Sequence, residues 1–321
     1  MIPFMPTIIE HAAALIGQTP SAAARDTSLL AMAHIKAYNL YRPDTVTVGM
    51  DIYNIEAEAL GCHIRFYDDT SIPGIITHPF KLDSQPSLIR FSTGLGRIQM
   101  LLDAASTVKN TIGDMVRVNV GICGPFSVLI ELLGYDMAIH AFIAEDERIP
   151  PLLAALTNFQ KHYCDAISEH GLGVTIFESW ASPPLISPGI YKKYALPYEQ
   201  ALLAHLKTHK HTVTPLIIGG DTYSILENIL NSGTTLLVSD YNTPLDLYIQ
   251  KAQEKDLWVR ANIDPKLVRQ GRMTEIEARI KEIYEKRDTY PKIIIGTGVV
   301  PYDTPPENLL NVRRLAHELS Q

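Results

Sequence analysis

The stretch "PLIIGGDTYSIL" (215–226) decides how this chain is read. A run of aliphatic residues with β-branched Ile217 and Ile218 has the character of a buried strand, since it offers no polar face to water. It breaks on Gly219, Gly220 and Asp221, and the residues after them are helix-like. A strand that ends in two residues without side chains and one carboxylate, then turns into a helix, delivers a loop to one end of a parallel sheet.

The same grammar repeats on either side. Short apolar runs occur at "TVTVGMD" (45–51), "RVNVGIC" (117–123), "GVTIFES" (173–179), "VTPLIIGG" (213–220), "TTLLVSD" (234–240), "LWVRANID" (257–264) and "KIIIGTG" (292–298). Several are apolar on both faces, as strands sheathed by helices are. Longer amphipathic stretches such as "PLLAALTNFQKHYCDAISEHG" and "PLDLYIQKAQEKD" separate them, and Gly171 and Gly173 stop the first of these. Alternation of this kind predicts a single (β/α)8 TIM-type barrel over residues 1–321, with seven strands identified and the eighth not. A long segment after the first of the seven, about 52 to 115, is expected as an insertion, with "GCHIRFYDD" and "GIITHPF" as hairpin pieces at the barrel mouth. The competing architecture, a doubly wound sheet, places a glycine-rich phosphate turn after its first strand. "VGMDIYN" is not such a turn.

Composition narrows the function classes. The 321 residues are 46% hydrophobic and 20% charged, with a net charge of -7, so no basic face for nucleic acid or anionic lipid is expected. Three cysteines, Cys62, Cys123 and Cys164, form no C-x-x-C pair, which suits a reducing compartment. No apolar run is long enough for a membrane span, and "MIPFMPTIIEHAAALIG" lacks the basic start of a secretory signal. A cytoplasmic protein is expected, with Pro3 and Pro6 shaping an extended lead into a helix.

In a barrel, chemistry collects at the C-terminal strand ends. There the sequence places Asp51, Glu178, Asp221, Asp240, Asn262 and Asp264, and the Gly296-Thr297-Gly298 loop. Asp and Asn also cap helices, and Asp264, followed by Pro265, fits a cap best. Glu is a poor cap, so Glu178 is the stronger functional candidate. His205 and His209 stand at i, i+4, a spacing that can hold metal, but no third ligand is near in sequence and the neighbouring lysines mark a solvated helix end. "STGLGR" (92–97) lacks the strand-to-helix context of a dinucleotide fingerprint.

An ordered set of segments resembles the uroporphyrinogen decarboxylase superfamily, and most of all its corrinoid-dependent methyltransferase branch. These are "DIYNIEAEALG", "GICGPFS", "FESWASPPLISPGIYKKYALPY", "PLIIGGDT", "SDYNTPL", "RANIDPKLVRQG" and "GTGVVPYDTPPENL", spanning about residues 40 to 315. The resemblance implies a barrel with its site at the C-terminal mouth, a small methylated substrate, and a corrinoid (cobalamin) carried by a partner protein. In the zinc-dependent members the fourth of these strands reads His-x-Cys-Gly and a second Cys lies in the last glycine loop. The matching positions here are Ile217, Gly219 and Thr297, none a zinc ligand, so zinc is not expected. The decarboxylase branch carries an N-terminal arginine motif that "MIPFMPTIIEH" lacks, although Asp51 resembles its pyrrole-facing acid. The expected roles are Glu178 and Asp221 as acid or polarising groups, and Asp51, Tyr53, Asp240, Tyr241, Asn262, Gly219, Gly220 and Thr297 around the substrate. Two other readings stay open: a binding protein that kept the barrel and lost catalysis, and a decarboxylase-like lyase.

Overall fold

The computed structural model describes residues 2–209 and 215–318. Among these residues ten strands run in chain order: β1 Phe4–Thr7, β2 Thr45–Val48, β3 Ile64–Arg65, β4 Gly74–Ile75, β5 Arg117–Cys123, β6 Gly173–Phe177, β7 Leu216–Ile217, β8 Leu236–Ser239, β9 Trp258–Ile263 and β10 Ile293–Val299. All but β3 and β4 are parallel and form two four-stranded sheets, ordered β1-β10-β9-β8 and β2-β5-β6-β7. Side chains bridge the two seams between these halves. At one, Phe4 N–H donates to Asp44 Oδ2 at 2.7 Å while Asp44 N–H returns to the Phe4 carbonyl at 2.9 Å. At the other, Leu216 N–H reaches Thr234 Oγ1 at 3.3 Å. The eight strands thereby close into an α/β TIM barrel, with helices such as Thr27–Tyr41, Ile98–Ile112, Ile149–Glu169 and Met273–Arg287 outside it.

The strand missing from the sequence reading is β1. Its "FMPT" sits where Pro3 and Pro6 suggest only an extended lead. Pro6 has no N–H for a ladder, and the register with β10 slips there, Met5 facing Gly296 and Thr7 facing Val299. The insertion accordingly comes after the second strand of the barrel, not the first. Its two expected hairpin pieces pair as β3 and β4, with Ile64 opposite Ile75. The start of the expected strand at 213–220 falls partly outside the described residues.

Helix Ile98–Ile112 illustrates why the outer layer forms. It buries Ile98, Leu101, Leu102, Ala105, Val108 and Ile112, a three-to-four-residue stripe toward the sheet. Each large side chain so covered contributes about 1.5–3 kcal/mol. No single helix among the described residues is long and apolar enough to cross a membrane.

Candidate functional site

Beyond the C-terminal ends of β2 and β6 lies a cavity of about 440 Å³ whose lining includes Tyr53, Asn54, His78, Glu131, Ser179 and Trp180. Tyr53 and Asn54 come from the first turn after β2, Ile75 and His78 from the insertion, and Ser179 and Trp180 from the loop after β6. Tyr53 is half-buried, meets Phe177 edge to face, and shares a short hydrogen bond with the Ser179 hydroxyl. Burial raises its phenol above the usual range.

Glu131 is the carboxyl in this cavity, and the sequence reading does not single it out. Burial pushes it up, while Trp180 Nε1, donating at 2.7 Å, works against that rise. His78 Nδ1 lies 2.6 Å from the Glu131 carbonyl oxygen. The signal available in sequence is one acid inside the apolar helix "PFSVLIELL" (125–133). Nothing local reveals that His78 and Trp180, about fifty residues away on either side, converge on it.

Asp51 adjoins the cavity through Asn54. Asn54 Nδ2 donates to its Oδ2 at 2.9 Å, and Arg97 donates to both oxygens at 2.9 and 2.7 Å. The same arginine reaches Glu58 at 2.6 Å. Burial pushes the Asp51 carboxyl up and the guanidinium pulls it down. With its side chain only 2% exposed, Asp51 is an anchor for the insertion.

Glu178 has its carboxylate turned away from solvent entirely. Oε1 accepts the Ser127 N–H at 2.6 Å, in the first turn of helix Pro125–Leu133, and Oε2 has no partner. A Cβ at Gly124 would stand 1.9 Å from Oε2, so glycine there is what admits the carboxylate. Burial raises Glu178 to about 7. Glu178 in turn adds to the rise of two further buried acids: Glu56, raised chiefly by burial to about 8 and accepting the Cys123 N–H at 2.9 Å, and Glu199, raised chiefly by burial and bonded by the Tyr191 hydroxyl at 2.5 Å.

The other sequence-selected residues lie at the ends of β7, β8, β9 and β10. Asp221 is exposed and accepts the Tyr223 N–H at 3.0 Å; Asp240 is buried and accepts the Asn242 N–H at 2.7 Å. Both bear on Tyr248, whose hydroxyl lies 3.0 Å from Thr222 Oγ1. Tyr241 is half-buried and raised chiefly by burial, then by Asp264 and Asp240. Asp264 is the helix cap its Asp-Pro pair predicts, accepting the Lys266 N–H at 2.8 Å. Gly219 and Gly220 are exposed; a Cβ on Gly219 would meet nothing within 4 Å, and the Ser182 hydroxyl donates to its carbonyl. Thr297 is fully buried, its Oγ1 accepting the Thr7 N–H at 3.2 Å. Asn262 is buried with Oδ1 unpartnered. Asp51 and Glu178 thus each adjoin a residue that lines the cavity, Asn54 and Ser179, while Asp221 and Asp240 follow β7 and β8.

Ile217, Gly219 and Thr297 present no set of donors for a metal. Among the described residues one group of metal-capable side chains does converge, Asp165, His205 and His209. Both Nε2 atoms lie on Asp165 Oδ1, at 2.6 and 2.8 Å. The partner absent from the local sequence of the two histidines is thus supplied by the neighbouring helix Ile149–Glu169.

The Uroporphyrinogen decarboxylase (URO-D) family profile matches residues 1–319. The chain is 29% identical over 269 residues to the methylcobamide:CoM methyltransferase MtbA of Methanosarcina mazei, covering 83% of this chain and 77% of that one. It is 24% identical over 297 residues to the uroporphyrinogen decarboxylase of Geobacter sulfurreducens, covering 85% and 83%. A solved methyltransferase from Methanosarcina mazei superposes with a TM-score of 0.84 at 20% identity, covering 100% of this chain and 94% of the other, and shares the fold.

Proposed function

The chain belongs to the uroporphyrinogen decarboxylase family, and within it we propose a cytoplasmic methyltransferase that moves a methyl group between a small methylated substrate and a corrinoid held by a partner protein. The observation that carries this reading is the similarity to a methylcobamide-dependent methyltransferase along 83% of the chain. The mouth suits such a partner: at Gly219 the backbone lies open where a side chain would otherwise stand. The corrinoid, when presented there, supplies the cobalt that accepts or returns the methyl group. Zinc has no part in the proposal, because Ile217, Gly219 and Thr297 offer an alkyl chain, no side chain and an engaged hydroxyl.

This chain must then bind the donor and protonate or polarise the heteroatom that loses its methyl. We assign that role to Glu131, since a carboxyl that burial pushes up inside a cavity can give up a proton. The Tyr53–Ser179 hydroxyl pair fixes the same wall. Glu178 acts through the helix, holding the first turn of the segment that carries Glu131, and is a positioning residue. Asp221 polarises substrate at the rim, while Asp240, Tyr241 and Asn262 orient it from the far side.

The decarboxylase reading is favoured by the relative in Geobacter sulfurreducens. Against it, Asp51 is committed to Arg97 and Asn54 rather than open to a pyrrole. The test is to incubate the protein with reduced corrinoid and a panel of O-, N- and S-methyl donors, following absorbance at cobalt. A methyl-cobalt spectrum with one donor class is expected. Silence with every donor would favour a non-catalytic binding protein, and coproporphyrinogen formed from uroporphyrinogen would favour the lyase.

A further inference from the structure

The barrel interior holds a positive charge that no acid among the described residues pairs with. Arg260, in β9, is 6% exposed. The hydrogen bonds found for its guanidinium among the described residues both leave Nη2, one to the Thr297 carbonyl at 2.8 Å and one to the Thr7 hydroxyl. Its Nε is buried without a partner. None of the ion pairs among the described residues includes it. Burial alone lowers it to about 10, with no acid opposing the shift. A cation in that position is costly unless something carries the opposite charge to it.

The surroundings make room for such a group. A Cβ on Gly296 would stand 2.4 Å from Arg260 Nε and 2.6 Å from Asn262 Oδ1, so the glycine gives the guanidinium its place. Asn262, also unpartnered at Oδ1, can turn its amide and present N–H groups instead. Arg260 borders a cavity of about 60 Å³ that also touches Thr7, Thr47 and Thr175, and runs from the barrel axis into the seam between β1 and β2. Thr47 and Thr175 lie 3.2 Å apart through their hydroxyls. His34 reaches the same cavity but is held neutral, lowered to about 4 by burial, so Arg260 is the cation there. The space is far too small for a tetrapyrrole and fits the head of a small carboxylate, whose two oxygens match a guanidinium edge.

We propose that Arg260 binds a carboxylate at the barrel axis, either a small free anion or the acid arm of a substrate entering from the mouth. The site stands independently of the methyl-transfer reading, because its test reads binding and not turnover.

The experiment titrates the full chain with sodium formate and, separately, with methoxyacetate, a carboxylate that also bears an O-methyl group. Ionic strength is held with sodium chloride, and the thermal midpoint and the heat of binding are recorded. In the wild type a saturable rise in midpoint is expected with at least one probe. Arg260→Met, which keeps the length and removes the charge, should lose it. Arg260→Lys, which keeps the charge and loses the planar fork, should bind roughly 10-fold more weakly. Methoxyacetate binding more tightly than formate assigns the site to a substrate arm; the opposite order, or equality, assigns it to a free anion. No saturable response in the wild type overturns the proposal, as does an equal response in Arg260→Met. Should Arg260→Met fail to fold, an unchanged dissociation constant in Arg260→Lys overturns it instead.

Discussion

Glu131 belongs to helix Pro125–Leu133, whereas Glu178, at the end of β6, binds that helix's first turn, and the difference sets what each substitution should do. Glu131→Gln keeps an acceptor for Trp180 Nε1 at 2.7 Å but removes the acidic proton. In the cobalt assay its turnover should fall about 10²- to 10⁴-fold with the Michaelis constant nearly unchanged, the range for loss of a general acid. Glu178→Gln can still accept the Ser127 N–H, so a smaller loss is expected, about 10-fold or less, through tilt of the helix. Equal losses in the two variants would refute the division of roles. The sequence alone singles out Glu178 and passes over Glu131. Glu178 is conspicuous because it ends a strand, whereas Glu131 hides in an apolar helix and gains its meaning only from His78 and Trp180. Strand-end position can be read locally; what a side chain finally touches depends on elements far apart in the chain.

At the scale of elements, the insertion after β2 is fastened to the barrel at "STGLGR". Glycine-rich sequence without a phosphate-binding context proves to serve close packing. Gly96 has φ +52°, and a Cβ there would stand 3.0 Å from the Ala59 nitrogen, so a side chain is both strained and crowded. The next residue, Arg97, carries the paired bonds to Asp51 and the bond to Glu58. Removing one partner of so buried a pair costs about 3–5 kcal/mol, because the other is left uncompensated. Arg97→Ala should therefore lose about that much stability in urea, and Gly96→Ala at least about 1 kcal/mol. In both, protease cleavage between residues 66 and 96 should accelerate more than global unfolding does. Cleavage that merely tracks global unfolding would show that the arginine is not a local fastening. The strands from β5 to β10 are legible in the sequence because they are apolar runs between amphipathic ones. β1 is not, since two prolines in and beside four residues look like a lead-in until β10 lies beside them.

For the whole molecule, the barrel is two four-stranded halves joined through side chains at both seams. We propose that residues 1–321 nonetheless unfold as one unit, seen as a single calorimetric transition. Its stability should depend on pH in a definite direction. Glu178, Glu10 and Glu56 are raised by burial to about 7, 7 and 8, and burial raises Glu199 as well, so the folded chain holds protons that the unfolded chain releases above about 4.5. Stability from these groups is present below that value and is lost as pH rises through their folded values. His34 and His11 work in the opposite sense: both are lowered by burial, so protonation of the unfolded chain below 6.5 costs stability there. The two sets oppose each other up to about pH 6.5. Above it only the carboxyls remain, and stability should fall between pH 6.5 and 8. Each proton released changes it by at most about 1.4 kcal/mol per pH unit. Glu56→Gln should flatten the fall by up to that amount, measured by urea denaturation at several pH values in this window. A wild-type stability that holds level or climbs there, or a variant with an unaltered slope, would mean that the buried carboxyls are already ionised in the folded chain.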